Sequence, residues 1–408
     1  MPVMDFKKTL RKYGKPFGWF LLSIYGLACL YLFYMQSIQP LDYDNRYFQS
    51  DLPYHISMII DDGWYYSFTA YAYQLLYVLF GKSAAGIAIF LAVMAVLSVV
   101  LTEKLLRVLL ERKEMTLWSV GSALALNMVM PFFWKVAGMY RYVSYQSGNI
   151  WHNSTYQCMK VLALAAILCY LKIEKRYKEH ISVKQWITFS VLLIICTGIK
   201  PSFLTVFAPA MALKLLWDLF HKVSFKQIFI FGCAVLPACG VVLWQNAVLF
   251  GEETGQGFTL NPWFTFSLHA DRPKVAVLCS IAFPLTVVIC SLKELFRDEK
   301  YFFGWMMTGI GFLEALLLAE SGSRSRDGNF MWGYCFAIFY IFVLSFVKWL
   351  RLGKKGNHSG ALKGREKVCA MLQKVAFWGC GAVFAYQLYC GLVFFVRLLM
   401  GETYFMVG

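Results

Sequence analysis

Charge is scarce in this chain, and negative charge scarcer still. Only 15% of the 408 residues are charged, 23 acidic against 39 basic, where a soluble domain carries about 25%. With 59% apolar residues and a mean hydropathy of +0.55, a chain whose whole surface faces water is excluded, and so is a disordered tail. The apolar runs do not alternate, which excludes a porin-type barrel. No internal repeat or low-complexity tract is present. The twelve cysteines form no CxxC pair and no Cys/His cluster, so they read as small packing residues rather than a disulfide framework or a zinc site. HExxH and GxSxG are both missing. Gly81-Lys82-Ser83 ends like a phosphate-binding loop but lacks its upstream glycine, which rejects nucleotide hydrolysis. Glu314 is the lone carboxylate within an apolar run, too little for a proton relay through a bilayer.

What is present is length and apolarity in the right units. Eleven runs approach the roughly 20 residues that a bilayer requires: 17–35, 84–102, 116–133, 156–171, 186–199, 203–217, 228–249, 275–292, 301–319, 330–347 and 376–398. The fold class is all-α, a polytopic transmembrane bundle of about 11 spans with a long first outer loop. The Tyr-rich segment 64–80 reads as an interfacial helix. Residues 1–35 read as a first membrane helix rather than a cleaved leader, because the apolar stretch is long and no small-residue cleavage site follows. Lys7, Lys8, Arg11, Lys12 and Lys15 place the N-terminus in the cytoplasm. Alternation then gives the cytoplasmic segments 28 basic and 11 acidic residues, a net +17, and the outer segments 11 of each. The whole basic excess is thus a membrane-topology signal, and nucleic acid is not needed to account for it. The chain reads as a multi-pass plasma (inner) membrane protein with its C-terminus outside. Residues 1–352 form its core, 353–375 a basic linker, and 376–408 a last helix with an outer tail.

The chemistry-bearing residues gather on the outer side. In Ser50-Asp51-Leu52-Pro53-Tyr54-His55, Pro53 suits the first turn of a helix, and Asp61-Asp62-Gly63 suits its end. Asp51 reads either as the N-cap, with His55 one turn on, or as a carboxylate oriented to accept a proton. Trp151, His152 and Asn153 read as an interfacial anchor or as a sugar site, the indole stacking on a pyranose while the polar side chains bond its hydroxyls. Asn153-Ser154-Thr155 also matches a glycosylation sequon, a pattern too short to carry weight. Lys200-Pro201-Ser202 breaks two short spans, where irregular backbone lines a cavity and a cation attracts phosphate; the alternative is a lysine snorkelling to the interface. Glu320, Arg324, Arg326, Asp327 and Asn329 form the densest polar cluster, in which two arginines either clamp a phosphate or pair with the two acids.

A long first outer loop carrying Asp, followed by many spans with polar outer loops, resembles the GT-C class of integral-membrane glycosyltransferases. The runs SDLPYH, NIWHNST, IKPSF and ESGSRSRDGNFMWG are similar to those of a group of bacterial multi-span proteins with that architecture. The resemblance implies transfer of a sugar from a polyprenyl-phosphate carrier to an acceptor hydroxyl of a glycan or lipid at the outer face. Asp51, His55 and Glu320 would then be catalytic, and Trp151, His152, Asn153, Lys200, Arg324, Arg326 and Asn329 would bind substrate. Asp42 and Asp44 are rivals for the base, since that class often places its key carboxylate soon after the first span; the chain has no Asp-Glu pair there, which matches the oligosaccharyltransferase and protein mannosyltransferase branches poorly. No metal ligand is assigned, and a divalent cofactor stays open. A transporter or flippase for a lipid-linked or small polar substrate is the alternative.

Overall fold

The computed structural model describes residues 6–41, 47–249, 257–356 and 365–408. Asp42 and Asp44 lie outside them. In chain order the elements are α1 (Phe6–Ser37), α2 (Leu52–Ile60), α3 (Phe68–Leu79), α4 (Ala85–Leu110), α5 (Leu117–Leu126), α6 (Ser154–Glu174), α7 (Val183–Ile199), α8 (Ser202–Phe220), α9 (Phe225–Cys233) and α10 (Leu236–Leu249). Then come β1 (Gly257–Leu260), α11 (Phe264–Ser267), α12 (Pro273–Ser280), α13 (Ala282–Cys290), α14 (Leu292–Arg297), α15 (Glu299–Leu317), β2 (Leu318–Ser321), α16 (Met331–Gly356) and α17 (Arg365–Leu399).

Among the described residues, seven helical stretches are long and apolar enough to cross a membrane: Gly14–Ser37, Ala85–Leu110, Ser154–Glu174, Ser202–Phe220, Phe225–Leu249, Met331–Gly353 and Ala370–Leu399. An eighth is added if α12 and α13, bent by 67° at their junction, are one broken span. The eleven-run reading is thus met at seven or eight places. Of the others, 116–133 is helical only over the ten residues of α5, and α7 is apolar but 17 residues long. α15 has 19 residues but is not among the seven. The 64–80 segment gives α3, 12 residues capped by Ser67, whose side chain accepts from the Thr69 amide. The all-helical reading misses one antiparallel ribbon, in which Phe258 of β1 pairs with Glu320 of β2. The proposed linker shrinks, because α16 runs to Gly356 and α17 begins at Arg365. α17 packs against α13 and α16 and belongs to the bundle.

α6 and α16 lie at the centre. Their membrane-length windows are 78% and 83% buried, against 33% for α1. Beside them runs the feature on which the site rests, an irregular and largely buried stretch from Met128 to Asn153. Buried backbone that is neither helix nor strand must find its partners elsewhere. Asn149 supplies two, donating from Nδ2 to the carbonyls of Leu126 and Val129 at 2.9 and 2.8 Å. Lys160 of α6 donates to Asn149 Oδ1 at 2.6 Å and to the Gly148 carbonyl at 3.3 Å. Its Nζ also lies 3.6 Å from the centre of the Phe339 ring. Gln157 bonds the Ile150 carbonyl, and the Met130 amide reaches Gln387 O of α17 at 3.1 Å. Glycine is required at 148, because a Cβ there would sit 2.6–2.8 Å from Cβ and backbone atoms of Phe339.

The seam between this stretch and α17 is as tight. A Cβ on Gly391 would overlap the carbonyl oxygen of Met128, whereas one on Gly379, in the same helix, meets nothing within 4 Å. Gly391→Ala should therefore cost the upper part of the roughly 1–3 kcal/mol typical of overpacking, despite Ala's better helix propensity. Gly379→Ala should be neutral or stabilising. Thermal unfolding of the two variants in detergent checks this, and equal midpoints would contradict the docking of α17.

Candidate functional site

The segments singled out by their polar residues meet at one end of the bundle, and three consecutive residues bring them together. Asn153 takes the N-cap of α6, in an extended conformation, with Oδ1 accepting from the Tyr156 amide at 2.9 Å. This is the ordinary use of Asn at a helix start. Its other amide atom faces the first loop, and Nδ2 donates to Asp51 Oδ2 at 2.7 Å. Ser154 Oγ lies 2.9 Å from His55 Nδ1. Thr155 Oγ1 donates to Asn153 Oδ1 at 2.9 Å and accepts from Lys200 Nζ at 3.3 Å. A continuous chain of hydrogen bonds thus runs from Lys200 through Thr155 and Asn153 to Asp51.

Each end of that chain is fixed by its own local structure. Asp51 stands at the N-cap position of α2, with Pro53 in the first turn, but its side chain makes no capping bond. The capping reading is set aside, and the carboxylate turns to Asn153. Its backbone amide donates to His152 O at 3.1 Å, joining the two loops a second time. Lys200 has φ −158° and ψ 122°, the extended conformation imposed on a residue before proline. Pro201 then opens α8. The Lys200 ammonium lies 5.0 Å from the Trp332 ring centre, a cation–π contact.

The electrostatics bind the group further. Burial pushes His55 down to about 4, Asp51 opposing and Lys200, His152 and Arg324 adding to the shift. His55 is therefore neutral at neutral pH. Burial holds His152 below the usual imidazole value, with Asp51 opposing. Lys200 is pushed down to about 8 by burial, and Asp51 and Glu320 work against that while Arg324 reinforces it. Arg324 thus lies within electrostatic range of both His55 and Lys200. Its Nε is 3.1 Å from Asp327 Oδ2 and 3.7 Å from Glu320 Oε1. Burial raises Glu320, and Arg324 and Asn329 pull it back. Asn329 donates to Glu320 Oε2 from Nδ2 at 2.8 Å and accepts from Trp332 Nε1 at 3.1 Å.

Two of the nominated residues stand apart. Trp151 is 2% exposed and packs on Phe394 and Phe395 of α17, with ring centres 6.2 and 5.1 Å away. It is core and not a sugar platform, because the chain turns its indole inward while His152 faces the polar end. Arg326 is exposed, and its charge bears on His269 rather than on Lys200. Asn329 serves as a clamp within its own loop. The sequence reading also missed several members. Trp332 lies against Lys200 and against His152, the latter at 6.0 Å between ring centres. Tyr404 stacks on His152 at 4.3 Å and 17°. Tyr66 is raised by burial, with Arg324, Asp327 and Asp51 as its charged neighbours. Ser154 and Thr155 were visible as a polar start to an apolar helix, which is where their role could have been found. Asn153 is 5% exposed and doubly bonded, which excludes it as a glycan acceptor in the folded protein.

The arrangement offers a carboxylate at an interhelical boundary, a neutral imidazole beside it, two cations, and aromatic rings. Among the described residues no group of three His, Cys, Asp or Glu is placed to hold a metal ion. No protein-family model matches the chain, and no curated protein matches it in a sequence search.

Because Asp51 supports the charge on Lys200, Asp51→Asn should lower the lysine's titration midpoint below about 8. Methyl-labelled lysine NMR would follow it. A midpoint unchanged by the substitution would contradict the coupling.

Proposed function

We propose that the protein is a membrane glycosyltransferase that moves a sugar from a polyprenyl-phosphate carrier to an acceptor hydroxyl, in assembly of a cell-envelope glycan. The observation that carries this reading is the Asn153-Ser154-Thr155 triplet, which gathers Asp51, His55 and Lys200 from three distant segments. In the proposed step the acceptor O–H gives its proton to Asp51, and its oxygen bonds the anomeric carbon. The bond from that carbon to the carrier phosphate breaks, and the electron pair leaves with the phosphate. Lys200 and Arg324 balance the charge of the leaving phosphate. His55 and Glu320 flank the acceptor, and Trp332 takes the stacking role first given to Trp151. The GT-C architecture, the cytoplasmic placing of the basic end and the plasma membrane belong to this same proposal, as do the glycan or lipid acceptor and Asp51 rather than Asp42 or Asp44 as base. No step in it requires a metal.

A second reading, a transporter of a lipid-linked or small polar substrate, is favoured by one observation. The broken pair α12–α13, with its 67° bend, is the kind of discontinuity that lines transport sites.

Transfer of labelled sugar from polyprenyl phosphate in reconstituted membranes separates the two. Asp51→Asn should lose roughly 10²–10⁴-fold in rate while keeping its bond to Asn153, because the carboxamide oxygen also accepts. Arg324→Ala should raise the donor KM. The wild-type donor KM should also rise as pH climbs through about 8, where Lys200 loses its proton. Full transfer by Asp51→Asn would remove Asp51 as the base, and substrate uptake without transfer by the wild type would remove the enzyme reading.

A further inference from the structure

A second feature lies at the opposite end of the bundle and has no part in the proposed transfer. Between Trp332 and Arg351 α16 climbs roughly 28 Å at the helical rise of 1.5 Å per residue. There a cavity of about 800 Å³ opens between the end of α4, the start of α5, the last turns of α16 and the first half of α17. Three cations, Arg112, Arg351 and Lys374, line it against one carboxylate, Glu111.

Both arginines are held in place. The Arg112 guanidinium lies 4.7 Å from the Trp118 ring centre. Arg351 donates from Nη2 to the Leu109 carbonyl at 3.1 Å and pairs through Nη1 with Asp298 Oδ2 at 3.4 Å. Glu111 adopts the left-handed conformation, φ 56°, that ends α4, so the chain turns sharply at the cavity's edge. The remaining wall is aromatic, with Phe377 and Trp378. It runs on into a bare apolar face of α17, where Met371, Leu372, Val375 and Trp378 are 60–72% exposed.

We propose that this cleft holds the phosphate of an anionic phospholipid, with the acyl chains lying along the exposed face of α17. The excess of guanidinium and ammonium groups selects an anion, and arginine's planar fork suits phosphate oxygens. Indole rings at the rim suit the headgroup level of a bilayer. A soluble phosphate would use the cations but leave the apolar face unused. A zwitterionic lipid would use the apolar face but gain little from the cations. Basic pockets between membrane helices recognise anionic headgroups on this physical basis.

The experiment is native mass spectrometry of the full chain from detergent micelles supplied with phosphatidylglycerol or phosphatidylcholine of identical acyl chains. Phosphatidylglycerol should be retained in preference. The double variant Arg112→Ala, Lys374→Ala should weaken that retention roughly ten- to thirtyfold, and glycerol 3-phosphate should not displace the lipid. Equal retention of the two lipids, displacement by glycerol 3-phosphate, or undiminished retention in the double variant would each overturn the proposal. Should the variant fail to fold, the wild type still decides. Phosphatidylglycerol brominated on its acyl chains should quench tryptophan fluorescence more than brominated phosphatidylcholine, and Trp378→Phe should reduce the difference. No such difference would overturn it as well.

Discussion

Everything at the polar end depends on one helix start. Asn153 must cap α6, because the first amides of a buried helix have no other partner. In doing so it presents Nδ2 to Asp51, and its neighbours Ser154 and Thr155 reach His55 and Lys200. Three interactions that each look minor are therefore a single geometric consequence. Moving the cap by one residue would rotate α6 by about 100° and scatter all three. The position of the cap is set in turn by the irregular chain before it. That chain stays buried only because Asn149, Lys160 and Gln157 satisfy its carbonyls. Among the described residues no carboxylate pairs with Lys160, and its amine is met by an amide oxygen, a carbonyl and an aromatic face. That is a costly way to hold a loop, and it marks the loop as the part whose shape matters.

The membrane character was legible in the sequence, since composition and run length alone specify it. Seven of the runs became helical stretches of membrane length, although the one over Phe225–Leu249 is broken between α9 and α10. The run 116–133 failed where α5 ends at Asn127 and the chain turns inward, a choice dictated by partners as distant as Gln387. Periodicity carries no information about such partners. The ribbon joining 257–260 to 318–321 was hidden for the same reason, since its two strands are four residues each and far apart in sequence.

The candidate site was legible in its residues but not in its roles. Asp51, His55, His152, Asn153, Lys200, Glu320 and Arg324 do converge, because polar groups in an apolar chain collect where they can satisfy one another. Trp151 was misread, because an indole beside His and Asn looks the same in sequence whether it faces a pocket or the core. The triplet Asn153-Ser154-Thr155 was passed over as a chance sequon. Its value lay in the helix-start pattern, which needs no distant information, so this was a signal present and unused. Tyr404 and Tyr66 could not have been found, since each reaches the site through the fold alone.

The account rests on the claim that the polar end receives a lipid-linked phosphate. Photo-crosslinking with a diazirine-bearing polyprenyl phosphate sugar, followed by peptide mapping, tests it most directly. The account predicts crosslinks on the segments around Asn153, Lys200 and Trp332, and their loss when unlabelled donor competes. Labelling confined to other segments, or labelling there that unlabelled donor does not reduce, would contradict it.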